Sequence, residues 1–430
     1  MQVTVTLLIA SLVLTLMFSV SFCDFINASD VTMLETAFRS TDPVFTPCNT
    51  AAAFVLGSSI VAMFNSSANC TFPLFPDVAP LPLSNSYTNG TFDVTVIAIG
   101  GGGGGGSNGG GGGGAGGVTV QTVQISLGQS ISVVVGLGGT PAVFTVNDPT
   151  RCLCATPGQN SWMMFPGTSV IAVGGGFGGS RLYLFSQAPG GPGGSGGGGG
   201  GGGCQSGSCG APSAAGGSGS GSQGKDGGLG YRQGTDAIHA SAGAGGGGFM
   251  AAGTAAANCL AGNGGDGYQL PFAPFMSSWI AGGGAGATAQ YTYCSGSPPF
   301  GLNGAGQTSF GGGGRGGCND NGQTLPASCN AQSGMPGALF LQYSFVCPQG
   351  TRQVVQSGFF VGSPCVPCHP GTFSSSTNVT ACTPCFAGEF SDFFGASACR
   401  ACAANTYNPI EGSSNISACL SCPHGTCTSV

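Results

Sequence analysis

The chain has 430 residues, of which 86 are Gly, 26 Pro and 21 Cys, while only 8 are Lys or Arg and 14 are Asp or Glu. Because about one residue in five has no side chain to bury, an ordinary enzyme core is not expected. The glycines come in blocks rather than at every third position, which excludes collagen. A single lysine, Lys225, and a net charge of -6 leave no basic surface for nucleic acid.

The N-terminus predicts a secretory signal peptide over residues 1–23. Residues 3–20 are apolar apart from Thr and Ser, and Ser21 and Cys23 are the small residues that a signal peptidase reads. An uncleaved anchor is the alternative, since about 18 apolar residues can just span a bilayer. No second apolar run of this length occurs, so we expect membrane attachment only through an uncleaved signal or a C-terminal anchor missing from this sequence. The expected location is therefore extracellular, either secreted or at the cell surface.

Sequons and cysteines agree with that location. Six Asn-X-Ser/Thr sequons predict N-glycosylation at Asn27, Asn65, Asn69, Asn89, Asn378 and Asn415. Once Cys23 is removed, ten cysteines lie between Cys48 and Cys329 and ten between Cys347 and Cys427. Even numbers on both sides of one boundary are expected when two domains oxidise independently.

The mature chain begins with residues 24–90, whose ordinary composition predicts a small strand-rich lead-in. Residues 92–99 then form a β-branched strand that runs directly into the glycine block 100–106. The β-branched runs 118–127 and 131–137 are separated by a Gly128 turn and predict a hairpin. A similar strand-to-glycine unit returns at 169–179, and residues 338–345 predict a closing strand.

Long glycine runs lie inside the span 91–345 rather than between domains. The same span contains Cys204, Cys209, Cys259, Cys294, Cys318 and Cys329, and disulfides pin chain that has to be ordered. A folded glycine-rich domain is therefore favoured, with a flexible, disordered segment as the alternative. The α-helix is excluded because Gly costs about 1 kcal/mol per residue relative to Ala. Polyproline-II helices fit, because backbones without Cβ atoms can approach closely and exchange hydrogen bonds.

Five features in this order carry a family resemblance. They are the strand 94–99, the glycine block, the Ala-Gly-Gly-Val restart at 115–118, the predicted Gly-Gln hairpin that ends in the Val-Val-Val-Gly-Leu-Gly-Gly run at 133–139, and the late aliphatic and aromatic strand 338–345. Together they resemble the glycine-rich domains of the anaplastic lymphoma and leukocyte receptor kinases, and phage tail-tip adhesins are similar. The resemblance implies a β-scaffold that supports a bundle of poly-glycine helices, whose exposed end binds a protein or surface partner. No kinase segment is present in this sequence.

Residues 346–430 contain a cysteine repeat. Its Cys-X-X-Cys pairs start 17, 17 and 20 residues apart, at Cys365, Cys382, Cys399 and Cys419. Each unit opens with a turn and an aromatic residue, and such a period indicates a repeat array. The pattern closely resembles ephrin-receptor-like cysteine-rich repeats.

That resemblance implies an elongated disulfide ladder with little core, in which the second Cys of each pair bonds to the first Cys of the next. The predicted disulfide residues are Cys347, Cys365, Cys368, Cys382, Cys385, Cys399, Cys402, Cys419, Cys422 and Cys427. A zinc ribbon formed by the first two pairs is the alternative. Disulfides are favoured because thiols of a secreted chain oxidise and because a metal does not need the repeated turn.

Three apparent catalytic or ligand motifs are attributed to the glycine background. Residues 219–226 resemble a P-loop but have Asp226 where Ser or Thr is needed, and Ser195 lacks the strand and helix of a nucleophile elbow. The segment around Asp266 resembles one copy of a calcium-binding nonapeptide, which needs tandem copies. We therefore expect no catalytic residue, cofactor or metal site.

The fold predicted from the sequence is mainly β, with polyproline-II glycine segments followed by a disulfide-rich array. The predicted function is non-enzymatic binding or adhesion: the glycine-rich domain is the recognition head, the cysteine repeats are a stalk, and the partner is an unknown extracellular protein or glycan. A self-associating matrix, cell-wall or coat protein is the alternative. Five aromatics could supply either partner contacts or core: Phe249, Tyr268, Phe272, Phe275 and Trp279.

Overall fold

The computed structural model describes residues 51–56, 59–71, 74, 79–80, 91–126, 128–143, 154–180, 189–201, 214–232, 241–257, 260–271, 279–289, 300–318, 329–353, 359–360 and 365–423. The predicted signal peptide, Asn27, Asn89 and Cys427 lie outside these ranges. Over the described ranges the chain is built from strands and extended segments, and its named helical element is a 3-10 turn at Ile416–Ala418. In these ranges no helix has the length and apolar character needed to cross a bilayer.

The strands are numbered in chain order. The first fifteen are β1 (Ala51–Leu56), β2 (Ser59–Phe64), β3 (Ala68–Thr71), β4 (Ala79–Pro80), β5 (Thr91–Ile99), β6 (Val118–Ser126), β7 (Ser130–Val134), β8 (Ser161–Phe165), β9 (Thr168–Ala172), β10 (Tyr231–Arg232), β11 (Ser241–Ala242), β12 (Tyr268–Gln269), β13 (Trp279–Ile280), β14 (Thr288–Ala289) and β15 (Ala338–Val346). The others are β16 (Thr351–Gln353), β17 (Phe359–Phe360), β18 (Cys365–Pro367), β19 (Thr372–Phe373), β20 (Thr383–Pro384), β21 (Glu389–Phe390), β22 (Arg400–Ala401), β23 (Thr406–Tyr407) and β24 (Leu420–Ser421).

A seven-stranded antiparallel sheet forms the scaffold, in the order β17-β1-β2-β15-β5-β6, with β4 paired to the end of β15. The closing strand β15 lies at its centre, where Phe340 is paired with Met63 of β2 and with Ile97 of β5. The strands of the lead-in, β1 and β2, thus share one sheet with the strands that bracket the glycine-rich span.

A second sheet, β3-β7-β8-β9, packs against one face of the first. Alternate residues of both sheets meet in a common core, whose largest fully buried side chains include Phe64, Ile131, Met163 and Phe345. This period-two burial is what β-branched and aromatic alternation produces in a two-layer sandwich.

The hairpin predicted for 118–137 is wrong. β6 pairs along its whole length with β5, whereas β7 pairs with β3 and β8 in the second sheet. Gly128, at φ 76°, adopts a conformation that favours glycine and lies in the turn between the two strands. The physical reason is burial: Val123 and Ile131 both face the core between the sheets, so the chain crosses from one layer to the other.

The opposite face of the seven-stranded sheet carries the glycine-rich segments. Ile99, Phe340 and Ile280 are buried there with Ala115 and Ala281, which belong to the glycine-rich stretch. The same strand β15 therefore serves two cores, one on each side of the sheet.

Residues 100–106 lie at the centre of the glycine bundle and have six neighbouring segments. Their N–H groups donate to three antiparallel neighbours at N···O distances of 2.9 to 3.0 Å: residues 111–117, 156–159 and 332–335. Their carbonyls from Gly101 onward accept from three parallel neighbours at 2.7 to 2.9 Å: residues 139–142, 175–178 and 314–317. Each neighbour is contacted by every third residue, which is the period of a polyproline-II helix.

This arrangement requires glycine. A Cβ atom on Gly103 would overlap the carbonyl oxygen of Gly176, and one on Gly112 would overlap that of Gly284. Since both obstacles are backbone atoms of hydrogen-bonded segments, neither can move aside as a flexible side chain could. The glycine block is thus an ordered bundle in which backbone hydrogen bonds replace side-chain packing.

The cysteine repeat forms a ladder. Four disulfides connect the units: Cys347–Cys365, Cys368–Cys382, Cys385–Cys399 and Cys402–Cys419. The last three have the connectivity that the ephrin-receptor-like resemblance implied. Cys422 is also disulfide-bonded.

Backbone hydrogen bonds repeat along this ladder. The N–H groups of Cys368, Cys385, Cys402 and Cys422 donate to the carbonyls of Gly350, Gly371, Gly388 and Asn405, at 2.8 to 3.0 Å. These four acceptor residues have φ between 62° and 89°, and asparagine is the usual substitute for glycine in that conformation. The repeated Gly of the sequence motif is therefore explained by the turn that each unit needs.

Candidate recognition surface

The interior of the glycine bundle offers no accessible reactive group at the positions that the sequence motifs suggested. Ser195 is fully buried; its N–H donates to the carbonyl of Ala115 and its carbonyl accepts from Gly176. The serine of the apparent nucleophile elbow therefore occupies a bundle position and does not reach solvent.

The two aspartates of the other motifs have structural partners. Asp226 Oδ1 accepts from the N–H of Gly219 at 2.7 Å, and Asp266 Oδ1 accepts from the N–H of Ala305 at 2.9 Å. No group of three or more His, Cys, Asp or Glu side chains that could hold a metal occurs within the described part of the chain.

These aspartates belong to an outer layer of the bundle. Its four neighbouring segments are residues 224–230, 251–257, 260–267 and 300–307, which are joined by backbone hydrogen bonds from one segment to the next. In 260–267 every third side chain is exposed, at Leu260, Asn263 and Asp266, whereas Gly262 and Gly265 are buried. The larger side chains of this segment thus occur at the positions that the polyproline-II period turns toward solvent.

Polar side chains of this layer complete the hydrogen bonding of its backbone. Asn263 Oδ1 accepts from the N–H of Leu302 at 2.7 Å, and the Thr254 hydroxyl oxygen accepts from the N–H of Asn263 at 2.7 Å. Together with the bond from the Ala305 N–H to Asp266, these contacts replace inter-segment hydrogen bonds that a further glycine segment would make. The outermost backbone is therefore fixed in position.

Three exposed leucines lie on three of the four segments of the outer layer, the first, third and fourth. Leu229, Leu260 and Leu302 are 55%, 52% and 74% exposed, and we call them the leucine row. The carbonyl of Leu229 accepts from Ala256 at 2.9 Å, that of Leu260 from Ala257 at 2.9 Å, and that of Leu302 from Gly264 at 2.8 Å. The row therefore presents apolar side chains from a hydrogen-bonded backbone.

The predicted aromatic contacts divide between core and surface. Phe249 and Tyr268 form an edge-to-face pair with ring centroids 5.2 Å apart, and both pack against the core beneath the bundle. Trp279, in contrast, is 37% exposed. Phe272 and Phe275 lie outside the described residues. The interpretation that these aromatics fill the core therefore holds for Phe249 and Tyr268.

A small cluster stabilises another part of the bundle. The disulfide Cys318–Cys329 packs with Ala287 and Phe300, and the guanidinium carbon of Arg315 lies 3.8 Å from the Phe300 ring centroid. Partial burial lowers the pKa of Arg315 from its usual value. This cation–π contact fixes a segment that donates to the central glycine helix.

The cysteine ladder also exposes apolar side chains. Phe394 lies edge-to-face with His369 at 5.2 Å, and Phe386 lies near Phe373 at 6.2 Å. These rings form a second possible contact surface. The four cysteines of the zinc alternative, Cys365, Cys368, Cys382 and Cys385, are all engaged in disulfides.

Four of the predicted glycosylation sites are described, and all four side chains are exposed: Asn65, Asn69, Asn378 and Asn415. In three of them the side-chain oxygen is engaged, since Asn69 Oδ1 accepts from Ser132, Asn378 Oδ1 from the Cys347 N–H, and Asn415 Oδ1 from the Ser417 N–H. A glycan is attached through the nitrogen rather than this oxygen, so the geometry is compatible with modification.

Comparison with known families agrees with this architecture. The sequence model of a family described as a glycine-rich domain matches residues 84–344, and one described as tyrosine-protein kinase ephrin type A/B receptor-like matches residues 371–419. Because the first match covers more than half of the chain, the chain belongs to the glycine-rich domain family. A search of curated proteins found no match. The ephrin-receptor-like repeats and the disulfides fit an extracellular location.

Proposed function

We propose that this chain is a non-enzymatic extracellular binding or adhesion protein whose glycine-rich domain is the recognition head and whose cysteine ladder is a spacer. The observation that carries the proposal is the leucine row: three side chains more than half exposed, held by hydrogen-bonded backbone. Because the backbone that carries these side chains is already ordered, binding through them requires little further ordering of the backbone, which favours their use as contact residues.

The expected partner is an extracellular protein or glycan with an apolar contact patch. Asp226 lies three residues before Leu229, and Asn263 and Asp266 lie three and six residues after Leu260, so on a polyproline-II segment they share the exposed face of these leucines and would form the polar rim. We also propose that a signal peptide directs the chain into the secretory pathway, where it is glycosylated and from which it is secreted.

The alternative, a matrix or coat protein that assembles through its poly-glycine segments, would require those segments to pair between chains. Within one chain the central segment 100–106 already donates and accepts along its length. This saturation supports the binding protein over the self-associating one.

The proposal is tested with labelled full-length protein on the surface of cells that produce it. A triple variant, Leu229→Ser, Leu260→Ser and Leu302→Ser, is compared with the wild-type chain. If each leucine contributes about 1 kcal/mol or more to binding, the triple variant should bind about a hundredfold more weakly.

The matched control is Leu137→Ser with Val143→Ser, two apolar residues that are 62% and 47% exposed outside the outer layer. The control should bind as the wild type does. Equal loss in both variants, or no loss in either, would show that the leucine row is not the contact surface.

A further inference from the structure

The outer face of the second sheet carries apolar side chains that the core does not use. Val134, Trp162 and Ile171 are cross-strand neighbours on β7, β8 and β9, and Met164 lies two residues from Trp162. Met164 is 42% and Ile171 is 44% exposed, while Val134 and Trp162 are half-buried. We call these four residues the outer sheet face.

The sequon residue Asn69 lies on this same face. Asn69 is paired with Ser132, and Ser132 is paired with Met164, so the three residues form one row across the sheet. The Ser132 hydroxyl donates to Asn69 Oδ1 at 2.7 Å, which shows that both side chains point outward. Met164 is two strand spacings from Asn69, roughly 10 Å.

The geometry of Asn69 leaves the reactive nitrogen accessible. Its oxygen is held by Ser132, whereas Nδ2 is the atom to which a glycan is joined. The next residue, Cys70, is buried and disulfide-bonded, which fixes the strand that carries the sequon. A sugar attached at this position would start from a defined point beside the outer sheet face.

We propose that Asn69 carries an N-linked glycan whose first sugar rings lie over Met164 and Trp162 and cover the outer sheet face. In the attachment step, Nδ2 bonds to C1 of the first N-acetylglucosamine of a lipid-diphosphate-linked oligosaccharide. The bond from C1 to the phosphate oxygen breaks, the lipid diphosphate leaves, and the nitrogen loses one proton to a base. The apolar C–H faces of the pyranose rings then pack on the indole and thioether side chains.

A glycan is favoured over a protein partner at this face because a modified Asn69 would obstruct any protein that approached along the same row. The inference rests on the secretory part of the proposed function, since the oligosaccharide donor is met in the secretory pathway.

The test uses the full chain produced by a glycosylating secretory cell, in a Trp279→Phe background. The sequence contains two tryptophans, so this change leaves Trp162 as the reporter. Site occupancy is read by glycopeptide mass spectrometry, and accessibility is read by acrylamide quenching of Trp162 fluorescence.

The variant Thr71→Ala removes the sequon but keeps Asn69 and its bond to Ser132. The matched control Asn65→Gln removes the neighbouring sequon on the turn after β2. We expect Asn69 to be occupied and Thr71→Ala to raise the quenching constant of Trp162 about twofold, because a half-buried indole loses its cover. Asn65→Gln should leave the constant unchanged, and trimming the glycan to its first sugar should give an intermediate value.

The outcomes separate the two proposals. An unoccupied Asn69 in a chain that is secreted and glycosylated elsewhere overturns this inference alone, and so does an occupied Asn69 whose removal leaves quenching unchanged. A chain without glycan at any sequon, which is retained in the cell with reduced cysteines, contradicts the proposed function and this inference together.

Discussion

The glycine bundle and the cysteine ladder are both ordered with little side-chain core. The bundle is held by contacts between segments that are distant in sequence, whereas the ladder is held by contacts between neighbouring units along the chain. In the bundle, residues 100–106 are hydrogen-bonded to six segments that are distant in sequence. In the ladder, each unit is joined to its neighbours by one disulfide and a few backbone bonds. A defect in the bundle should therefore spread through the domain, whereas a defect in the ladder should stay within one or two units.

The largest effect is expected from Gly103→Val and Gly112→Val. Each adds a branched side chain that overlaps a backbone carbonyl, of Gly176 and Gly284 respectively. We expect each change to destabilise the domain by about 4 kcal/mol or more, which is the range of severe packing defects. Thermal unfolding followed by circular dichroism measures the effect.

The control for these variants is Ala255→Val, at an exposed position of the outer layer. It should leave the melting temperature within a few degrees, about the shift that a surface substitution gives. If both glycine variants unfolded at the melting temperature of the wild type, the bundle would not depend on close approach of its backbones.

A smaller, local effect is expected when the Cys385–Cys399 disulfide is removed by changing both residues to Ser. The bond closes a loop with a sequence separation of 14, for which about 3 kcal/mol of stabilisation is expected. Hydrogen exchange should increase in residues 385–402, while the glycine-rich domain keeps its protection and its melting temperature. Loss of protection in both regions would contradict the description of the ladder as a row of units that depend only on their neighbours.

The two regions also differ in how far the sequence predicts them. The ladder connectivity was implied by the ephrin-receptor-like resemblance, which can be recognised because the Cys-X-X-Cys pairs and the turn residues recur at local, regular positions. In the bundle, the glycine blocks predict polyproline-II order but do not identify the neighbours of any segment. A glycine has no side chain whose type could specify a partner.

The hairpin prediction was wrong for a similar reason, because the sequence of a strand does not identify the strand with which it pairs. The runs that became β6 and β7 have the same β-branched character, and only the position of β3 and β5 in the fold decides that they join different sheets. The leucine row was not predicted for a related reason. Each of its segments contains a single leucine at a position that faces solvent, and such a position becomes identifiable only once the neighbouring segments are known.

A modest effect is expected at the polar edge of the bundle. Asp266→Ala removes the acceptor for the Ala305 N–H, which is worth about 1 kcal/mol or less at this exposed position. Asp266→Asn keeps an oxygen acceptor and should restore most of the stability. If both variants melt alike, the hydrogen bond does not contribute to closing the edge; chemical denaturation resolves a difference of this size.

The smallest expected effect tests the division of function between the two regions. A fragment of residues 24–367 keeps β17, which pairs with β1, and keeps the Cys347–Cys365 disulfide, so the scaffold sheet remains complete. If recognition lies in the leucine row, this fragment should bind the cell surface within about threefold of the full chain, because a spacer adds reach rather than contact energy.

The complementary fragment, residues 346–430, should not bind. It retains the exposed Phe386 and Phe394 of the ladder, so it reports directly on the second possible contact surface. Binding of this fragment at full affinity, with none by residues 24–367, would move recognition from the glycine-rich domain to the ladder. Because Leu229, Leu260 and Leu302 are absent from it, that result would also explain an unaffected triple-leucine variant.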